Sequence, residues 1–289
     1  MKSSHSHFQE IRGLRYHVRT WGTPGSPVLF LLHGWMDVSA SFQFLVDAFT
    51  RDWHVIAPDW RGFGLTQWAG EGYWFPDYYA DLDTLLDLYQ PDAPVQLVGH
   101  SMGGVIACTY AGIRPERVSH VVSLEGFGLA RTNPGQAQAR YRKWLDELRE
   151  PPRFRKYRSW AEVAQRLKLV NPGLDDHKAQ FLARHWAKET GDGTVVLRSD
   201  PRHKMVNPQL FRLEELLACW QQAAAQVLWV FARQSKGTGY LKDTPAQLDE
   251  RRRAFRNFSE AWLEDCGHMM HHDQPQRLAA IIENFLMAP

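Results

Sequence analysis

Short apolar runs alternate with amphipathic stretches along most of the chain. The runs predict buried strands and lie at residues 28–32, 54–58, 94–98, 118–124, 226–231 and 259–263. Residues 78–89 place Leu82, Leu85 and Leu86 on one side of a predicted helix, and residues 104–111 and 275–287 also predict helices. Strands that alternate with helices predict an α/β fold, a mainly parallel twisted sheet flanked by helices on both faces.

The stretch from Phe127 to Gln222 breaks this alternation. It is charged and rich in tryptophan and tyrosine, and Pro134, Pro151 and Pro172 divide it into short predicted helices. The pattern therefore predicts a helical insertion between two parts of an α/β core.

The most informative local pattern is Gly99-His100-Ser101-Met102-Gly103, between a predicted strand and a predicted helix. Glycines on both sides of the serine permit a turn so tight that the serine takes a strained backbone conformation. The hydroxyl then projects at the carboxyl end of the strand, above the first turn of the helix. The pattern predicts that Ser101 is a nucleophile.

A serine nucleophile needs a base and hydrogen-bond donors for the oxyanion. The run at 28–32 opens onto His33-Gly34-Trp35-Met36, a predicted loop at a strand end. The predicted oxyanion donors are the backbone amides of Trp35, in this loop, and of Met102, directly after the serine. The predicted base is His268, which follows the last predicted strand.

Two further histidines, His271 and His272, lie nearer the last predicted helix, and we expect them to cap it or to face solvent. A His-His pair can ligate a metal, but the sequence shows no second group of cysteine, histidine or carboxylate residues at ligand spacing beside it. We therefore expect neither a metal nor another cofactor.

Taken in order along the chain, these motifs resemble those of the α/β-hydrolase fold, especially its serine hydrolase-like and epoxide-hydrolase-like branches. The resemblance is carried by His33-Gly34-Trp35, by Asp59-Trp60-Arg61-Gly62-Phe63-Gly64-Leu65-Thr66, by the serine turn, and by Gly267-His268 with Pro275 beyond it. It implies a hydrolase core over residues 1–126 and 223–289, with residues 127–222 as a helical cap (lid) inserted after the sixth strand. Epoxide hydrolases of this fold use an aspartate nucleophile, where this chain has Ser101.

The chain departs from the family pattern in the acid that orients the histidine. Most members carry an aspartate after the seventh strand, but the loop after residues 226–231 reads Ala232-Arg233-Gln234-Ser235-Lys236. Some members carry the acid after the sixth strand, where this chain has Glu125. We therefore expect Glu125 to complete the triad. Asp243 is a weaker candidate, and an ion pair with an arginine is the alternative role for Glu125.

The resemblance implies hydrolysis of a small to medium carboxylic ester through an acyl-enzyme on Ser101, without a cofactor. Three alternatives stay open. The same triad can cleave a carbon–carbon bond in a vinylogous diketone, or a thioester; a cofactor-free dioxygenase shares the fold; and a non-catalytic member would only bind a ligand. We expect His33, His100 and Trp160 to face the substrate pocket.

The resemblance implies a small-molecule ester as the partner, and composition argues against two other kinds of partner. A net charge of +2 argues against a nucleic-acid partner, and no apolar stretch approaches the ~20 residues of a membrane span. The three cysteines, Cys108, Cys219 and Cys266, stand singly and indicate reduced thiols, and the polar N-terminus lacks a secretory signal. We expect a cytoplasmic protein, either a monomer or a homodimer.

Overall fold

The computed structural model describes residues 1–70, 72–235, 241 and 243–288. The strands of this described part are β1 (Ser4–Ile11), β2 (Leu14–Trp21), β3 (Val28–Leu32), β4 (His54–Pro58), β5 (Val95–His100), β6 (Val118–Leu124), β7 (Ala187–Glu189), β8 (Val195–Leu197), β9 (Gln226–Ala232) and β10 (Phe258–Leu263). Its α-helices are α1 (Gln43–Ala48), α2 (Phe75–Tyr89), α3 (Met102–Ile113), α4 (Ala137–Arg149), α5 (Trp160–Val170), α6 (Asp176–Trp186), α7 (Leu213–Trp220), α8 (Pro245–Arg253), α9 (Met270–Asp273) and α10 (Pro275–Leu286).

Eight strands form one sheet in the order β1-β2-β4-β3-β5-β6-β9-β10. Strands β1 and β2 form an antiparallel hairpin, and β2 pairs antiparallel with β4. The remaining neighbours in this sheet, β4, β3, β5, β6, β9 and β10, run parallel to one another. Because the carboxyl ends of parallel strands meet at one edge, the loops after β3, β5, β6, β9 and β10 share that edge. Every predicted catalytic residue lies in one of these loops or directly beside one.

Alternate residues of the central strands enter two separate cores, one on each face of the sheet. In β3, Phe30 and Leu32 join the core under α2 and α3, while Leu29 and Leu31 join the core under α1 and α10. Burial on both faces explains why these strands read as unbroken apolar runs in the sequence. The predicted α/β class, with a mainly parallel sheet flanked by helices, is confirmed.

The segment between β6 and β9 forms α4, α5, α6 and α7, together with the small hairpin of β7 and β8. Apolar residues of α5 and α6 make a third core, which Phe44 of α1 joins from the main body of the protein. The sequence pattern predicted helices here and did not predict the hairpin, whose strands are only three residues each. The role of residues 127–222 as a cap stays a prediction.

Other predictions about the whole chain concern thiols and membranes. Cys108, Cys219 and Cys266 carry free thiols. No helix in the described ranges combines the length and the apolar character needed to cross a bilayer.

Candidate functional site

Ser101 lies between the end of β5 and the first turn of α3, in a backbone conformation that side chains rarely adopt. Its φ and ψ are 51° and −114°, and such strain persists only where the surroundings enforce it. The N–H of Ser101 donates to the carbonyl oxygen of Leu124 at 2.8 Å, at the end of the neighbouring strand β6. The strand–turn–helix geometry that the glycine pattern predicts is therefore present at this serine.

Two close backbone approaches explain the glycines on either side of the serine. A Cβ atom on Gly99 would lie 2.3 Å from the carbonyl carbon of Gly103, and a Cβ on Gly103 would lie 2.1 Å from the oxygen of Leu32. Neither neighbour can move aside, because both are backbone atoms. Any side chain at these positions would force β5, α3 and β3 apart.

Glu125 directly follows β6 and, like Ser101, has a positive φ, of 55°. Its buried carboxylate is held by two donors, the N–H of Ala232 at 2.9 Å and the hydroxyl of Ser235 at 2.6 Å. One carboxylate oxygen, Oε2, lies 3.5 Å from Nδ1 of His268. The structure thus brings Glu125 and His268 together at the sheet edge where Ser101 lies, and it leaves 41% of the His268 side chain exposed.

The alternatives for the acid have other partners in the structure. Within the described part of the chain, Glu125 contacts the loop after β9 and His268, and it makes no ion pair with an arginine. Asp243 instead pairs with the fully buried guanidinium of Arg251. That guanidinium also donates to the carbonyl oxygens of Phe127 at 3.1 Å and Leu129 at 3.0 Å. Asp243 therefore supports Arg251, which holds the backbone at the start of the insertion; we call this group of contacts the Arg251 anchor.

The loop that follows β3 runs directly against the serine. A Cβ on Gly34 would lie 3.2 Å from Cβ of Ser101, and the next residue, Trp35, has 52% of its surface exposed. Met102 is the first residue of α3, where unpaired N–H groups and the positive end of the helix dipole favour negative charge. Both predicted oxyanion donors, the amides of Trp35 and Met102, therefore belong to backbone segments adjacent to Ser101.

His100 connects the serine turn to the loop that carries His268. Its Nε2 donates to the backbone oxygen of His268 at 2.8 Å, and the two rings lie 4.7 Å apart. A donor role for Nε2 leaves Nδ1 of His100 without a proton when the ring is neutral. His100, predicted to face the pocket, is buried and acts on the position of the His268 backbone.

The expectation that His271 and His272 face solvent or cap the last helix is wrong. Both lie in the short helix α9 and are buried, with 0% and 2% of their surface exposed. His272 Nε2 lies 2.6 Å from the hydroxyl of Ser41, and the His271 ring packs 5.3 Å from the ring of Phe42. Contacts with the segment before α1, more than two hundred residues away in the chain, bury both side chains.

A buried histidine–carboxylate cluster therefore lies beneath the site. Asp37, His100 and His271 offer ligand atoms that all lie within 4.8 Å of one another, a donor set of the kind that binds transition metals. Asp37 Oδ2 and the Nδ1 atoms of the two histidines have no hydrogen-bond partner among the described residues. Within the described part of the chain, these three residues could hold a metal ion, and sequence spacing did not reveal them.

Burial affects the protonation of two histidines in this region, His100 and His272. It holds the pKa of His100 well below the usual value of 6.5, and the nearby imidazole of His271 lowers that pKa further. The pKa of His272 is also held well below its usual value, again by burial first and by His271 second. His100 and His272 are accordingly neutral near pH 7.

Two further residues predicted for the pocket lie elsewhere. His33 is fully buried; its Nδ1 donates to the oxygen of Gly34 at 2.7 Å, and its Nε2 accepts from the N–H of Trp60 at 2.8 Å. Burial lowers the pKa of His33. Trp160, at the start of α5, lines a cleft between α5 and α6, where the guanidinium of Arg184 lies 4.6 Å from its ring. The structure places neither residue on the wall of the cavity described next.

A cavity of about 680 Å³ lies between the insertion and the loops that carry the site. The main body contributes Trp35, Met36, Met269 and His272, and the insertion contributes apolar side chains such as Val163 and Leu182. A volume of this size accommodates a small organic ligand. The cavity touches both the loop of the predicted oxyanion donor Trp35 and the loop of the predicted base His268.

Sequence reasoning missed two residues near the candidate site, Ser235 and Asp37. Ser235 lies in the loop after β9, where the family pattern leads one to look for an aspartate, and its hydroxyl donates to Glu125. A serine at that place, combined with a glutamate after β6, could have indicated that the serine hydroxyl donates to the glutamate carboxylate. Asp37 lies four residues after His33 and carried no comparable signal, because its partners come from distant parts of the chain.

Comparison with known proteins agrees with this architecture. Residues 27–275 match the family described as the alpha/beta hydrolase fold. The chain is 30% identical over 288 residues to a serine hydrolase-like protein of Danio rerio, covering 96% of this chain and 85% of that one. It is 33% identical to epoxide hydrolase A of Mycobacterium tuberculosis over 133 residues, which cover 45% of this chain and 41% of that one.

Solved structures show the same fold. The thioesterase domain from the curacin biosynthetic pathway superposes with a TM-score of 0.87, covering 98% of this chain and 99% of that one, at 23% identity.

Proposed function

The chain belongs to the α/β-hydrolase fold family, and from this premise we propose that it is a serine hydrolase that cleaves a small to medium carboxylic ester. One observation carries the proposal: a strained serine between β5 and α3 shares a sheet edge with a buried glutamate that contacts a half-exposed histidine. In this proposal Ser101 is the nucleophile, His268 the base and Glu125 the orienting acid.

The tautomer of His268 follows from its contact with Glu125. Because Nδ1 faces the carboxylate at 3.5 Å, Nδ1 carries the proton and Nε2 is free to accept one from the Ser101 hydroxyl. As the hydroxyl oxygen bonds to the ester carbonyl carbon, His268 takes its proton and becomes imidazolium, which the buried carboxylate stabilises. The imidazolium then returns that proton to the departing alkoxide, leaving an acyl-enzyme on Ser101.

Negative charge develops on the former carbonyl oxygen during this attack. The amides of Trp35 and Met102 are the proposed donors to that oxygen, and the loss of one such donor typically costs about 3–4 kcal/mol of barrier. A water molecule then attacks the acyl-enzyme, with His268 again as base, and releases the carboxylic acid. This proposed mechanism requires no cofactor.

We also propose that residues 127–222 act as a cap that determines which esters bind. The 680 Å³ cavity and its apolar wall from α5 and α6 support this role. Apolar walls with few polar groups are typical of sites for small organic ligands.

Epoxide hydrolysis is the activity named for one partial relative, and we do not extend it to this chain. Epoxide hydrolases of this fold attack with an aspartate, whereas the matching position here is Ser101. A serine forms a stable ether with an opened epoxide, and water cannot release it in the way that it hydrolyses an ester.

The test is a panel of p-nitrophenyl esters from acetyl to dodecanoyl, measured with the native protein and with Ser101→Ala. We expect hydrolysis by the native protein and a loss of at least about 10³-fold in kcat/KM for the variant. A fluorophosphonate probe should label the native protein and leave the variant unlabelled. If no ester is hydrolysed and the probe does not react with Ser101, the proposed function is wrong.

A further inference from the structure

The cavity beside the site has a strongly unbalanced set of charges. Its lining includes no aspartate or glutamate among the residues that the structure describes. It includes four cationic side chains, Arg153, Arg155, Arg166 and Lys204. All four come from the insertion and are exposed at the cavity rim, whereas the apolar side chains Val163, Leu167 and Leu182 are buried.

Among the residues that the structure describes, three of these four charges have no acidic partner. Arg155 pairs with Glu162 at 3.0 Å, which compensates its charge. Arg153 and Arg166 make no ion pair or hydrogen bond with any described residue, and Lys204 Nζ lies 4.3 Å from the centre of the Phe154 ring. The rim therefore carries uncompensated positive charge next to an apolar interior.

A second cleft on the insertion shows that this imbalance is local. The cleft between α5 and α6, of about 840 Å³, also contains two cations, Lys168 and Arg184. There, Lys168 pairs with Asp176, an acidic residue that lines the same cleft. Arg184 lies over the Trp160 ring, as Lys204 does over Phe154, so within the described part of the chain the second cleft holds one uncompensated cation where the cavity rim holds three. Since the whole chain has a net charge of only +2, an excess of cations is not a general property of its surface.

From this contrast, and on the basis of the proposed ester hydrolysis, we propose that the substrate is an anionic ester: an apolar body in the cavity, with a carboxylate or phosphate group that reaches the cationic rim. Guanidinium groups bind both anions with paired hydrogen bonds. Low-dielectric walls concentrate the field of the uncompensated charges toward the cavity. In this proposal one ester places its anionic group at the rim and its carbonyl toward the loops of Trp35 and His268, which reach this cavity through Trp35 and Met269.

The experiment compares esters that differ only in a distant charge. The p-nitrophenyl ester of octanoic acid is neutral, the mono-p-nitrophenyl ester of suberic acid has the same length and ends in a carboxylate, and the 8-phosphonooxyoctanoate ester ends in a phosphate. At low ionic strength we expect kcat/KM of an anionic ester to exceed that of the neutral one by at least about tenfold. The carboxylate and phosphate esters show which anion is preferred, and 0.5 M NaCl should reduce the preference.

Arg153→Gln/Arg166→Gln is the test variant, and the ratio of the anionic to the neutral kcat/KM is its readout. A ratio is insensitive to partial misfolding, because both esters are measured on the same preparation. We expect it to fall to about one. The matched control is Lys168→Gln in the other cleft, which should keep the native ratio.

Two results overturn the inference: equal kcat/KM for neutral and anionic esters in the native protein, or a preference that persists in the double variant. Both leave the proposed function intact, because the neutral ester is still hydrolysed through Ser101. If no ester in either series is hydrolysed, the proposed function itself fails, and this inference fails with it.

Discussion

Two carboxylate–histidine groups lie side by side in this protein and differ in almost every physical respect. In the first, the Glu125 carboxylate has two hydrogen-bond donors and contacts His268, which is 41% exposed. In the second, Oδ2 of Asp37 has no hydrogen-bond partner among the described residues, and it lies 3.8 Å from His271, which is fully buried. His100 touches both groups.

This contrast supports His268, and not His271, as the proposed base. A base must reach the substrate and change its charge during the reaction, which requires exposure on one side and a fixed carboxylate on the other. His268 meets both conditions. His271 is fully buried, and its ring lies against those of Phe42, His100 and His272. We therefore expect it to pack the floor of the site and not to contact a substrate.

Removing each histidine in turn should have the largest effects, and the two variants should differ in opposite ways. His268→Ala should lower kcat by at least about 10³-fold, because no other group replaces the base. Its free energy of unfolding should change by less than about 1 kcal/mol, since the side chain is half exposed. His271→Ala should keep kcat within about tenfold and lose about 2–4 kcal/mol of stability, since it leaves a cavity in the core.

Two measurements on both variants test these expectations: ester turnover at saturating substrate, which gives kcat, and chemical unfolding, which gives the free energy of unfolding. If His271→Ala is inactive while its stability is unchanged, the buried cluster belongs to the catalytic machinery, and the structural role expected for His271 is wrong.

A second prediction separates the two candidate acids. Glu125→Gln keeps the size of the side chain but removes its charge, so it should lower kcat by roughly 10²- to 10⁴-fold while the protein stays folded. Asp243→Asn should have a mild effect on kcat and a large effect on stability, about 3 kcal/mol or more, because it leaves the buried Arg251 guanidinium without its counter-charge. Near-native turnover in Glu125→Gln would remove the glutamate from the triad.

The smallest expected effect concerns stability as a function of pH. His100 and His272 have depressed pKa values in the folded protein, whereas the same side chains in the unfolded chain titrate near 6.5. Below that pH the two imidazoles bind protons in the unfolded chain but stay neutral in the folded protein. The free energy of unfolding therefore falls as pH decreases from about 7 toward about 5. The slope can reach about 1.4 kcal/mol per pH unit for each such histidine.

Thermal unfolding between pH 5 and 7.5 measures this slope. His272→Gln removes one of the two groups and should flatten it, whereas His177→Gln, at an exposed position on α6, should leave it as it is. An equal slope in all three proteins would mean that neutral buried histidines do not govern stability in this range.

The apolar runs in the sequence predicted the central strands of the sheet, because strand formation there depends on residues close together in the chain. The strands β3, β4 and β6 begin and end where their apolar runs do, because residues buried on both faces of a sheet are apolar throughout. The hairpin of β1 and β2 was not predicted, since β1 is a polar edge strand with one exposed face. Its partner, β2, supplies the contact with β4, which lies far along the chain.

In the candidate site, too, some residues could be placed from the sequence and others could not. Ser101, Glu125 and His268 each follow a predicted strand, so the parallel order of the sheet is enough to place them at one edge. The burial of His271 and His272 depends on Ser41 and Phe42 from the other end of the chain. No spacing within the loop encodes that contact, which is why the loop looked solvent-exposed in the sequence.

The Arg251 anchor has a consequence for engineering the protein. Its guanidinium holds the carbonyl oxygens of Phe127 and Leu129 while Asp243 balances its charge, so the first residues after β6 are held by the segment that follows β9. A chimera that imports the insertion of a relative should therefore join the two sequences after Leu129. A junction at Phe127 would place residues of the relative at both positions whose carbonyl oxygens Arg251 binds, and the hydrogen bonds would then form only if the imported backbone followed the same course.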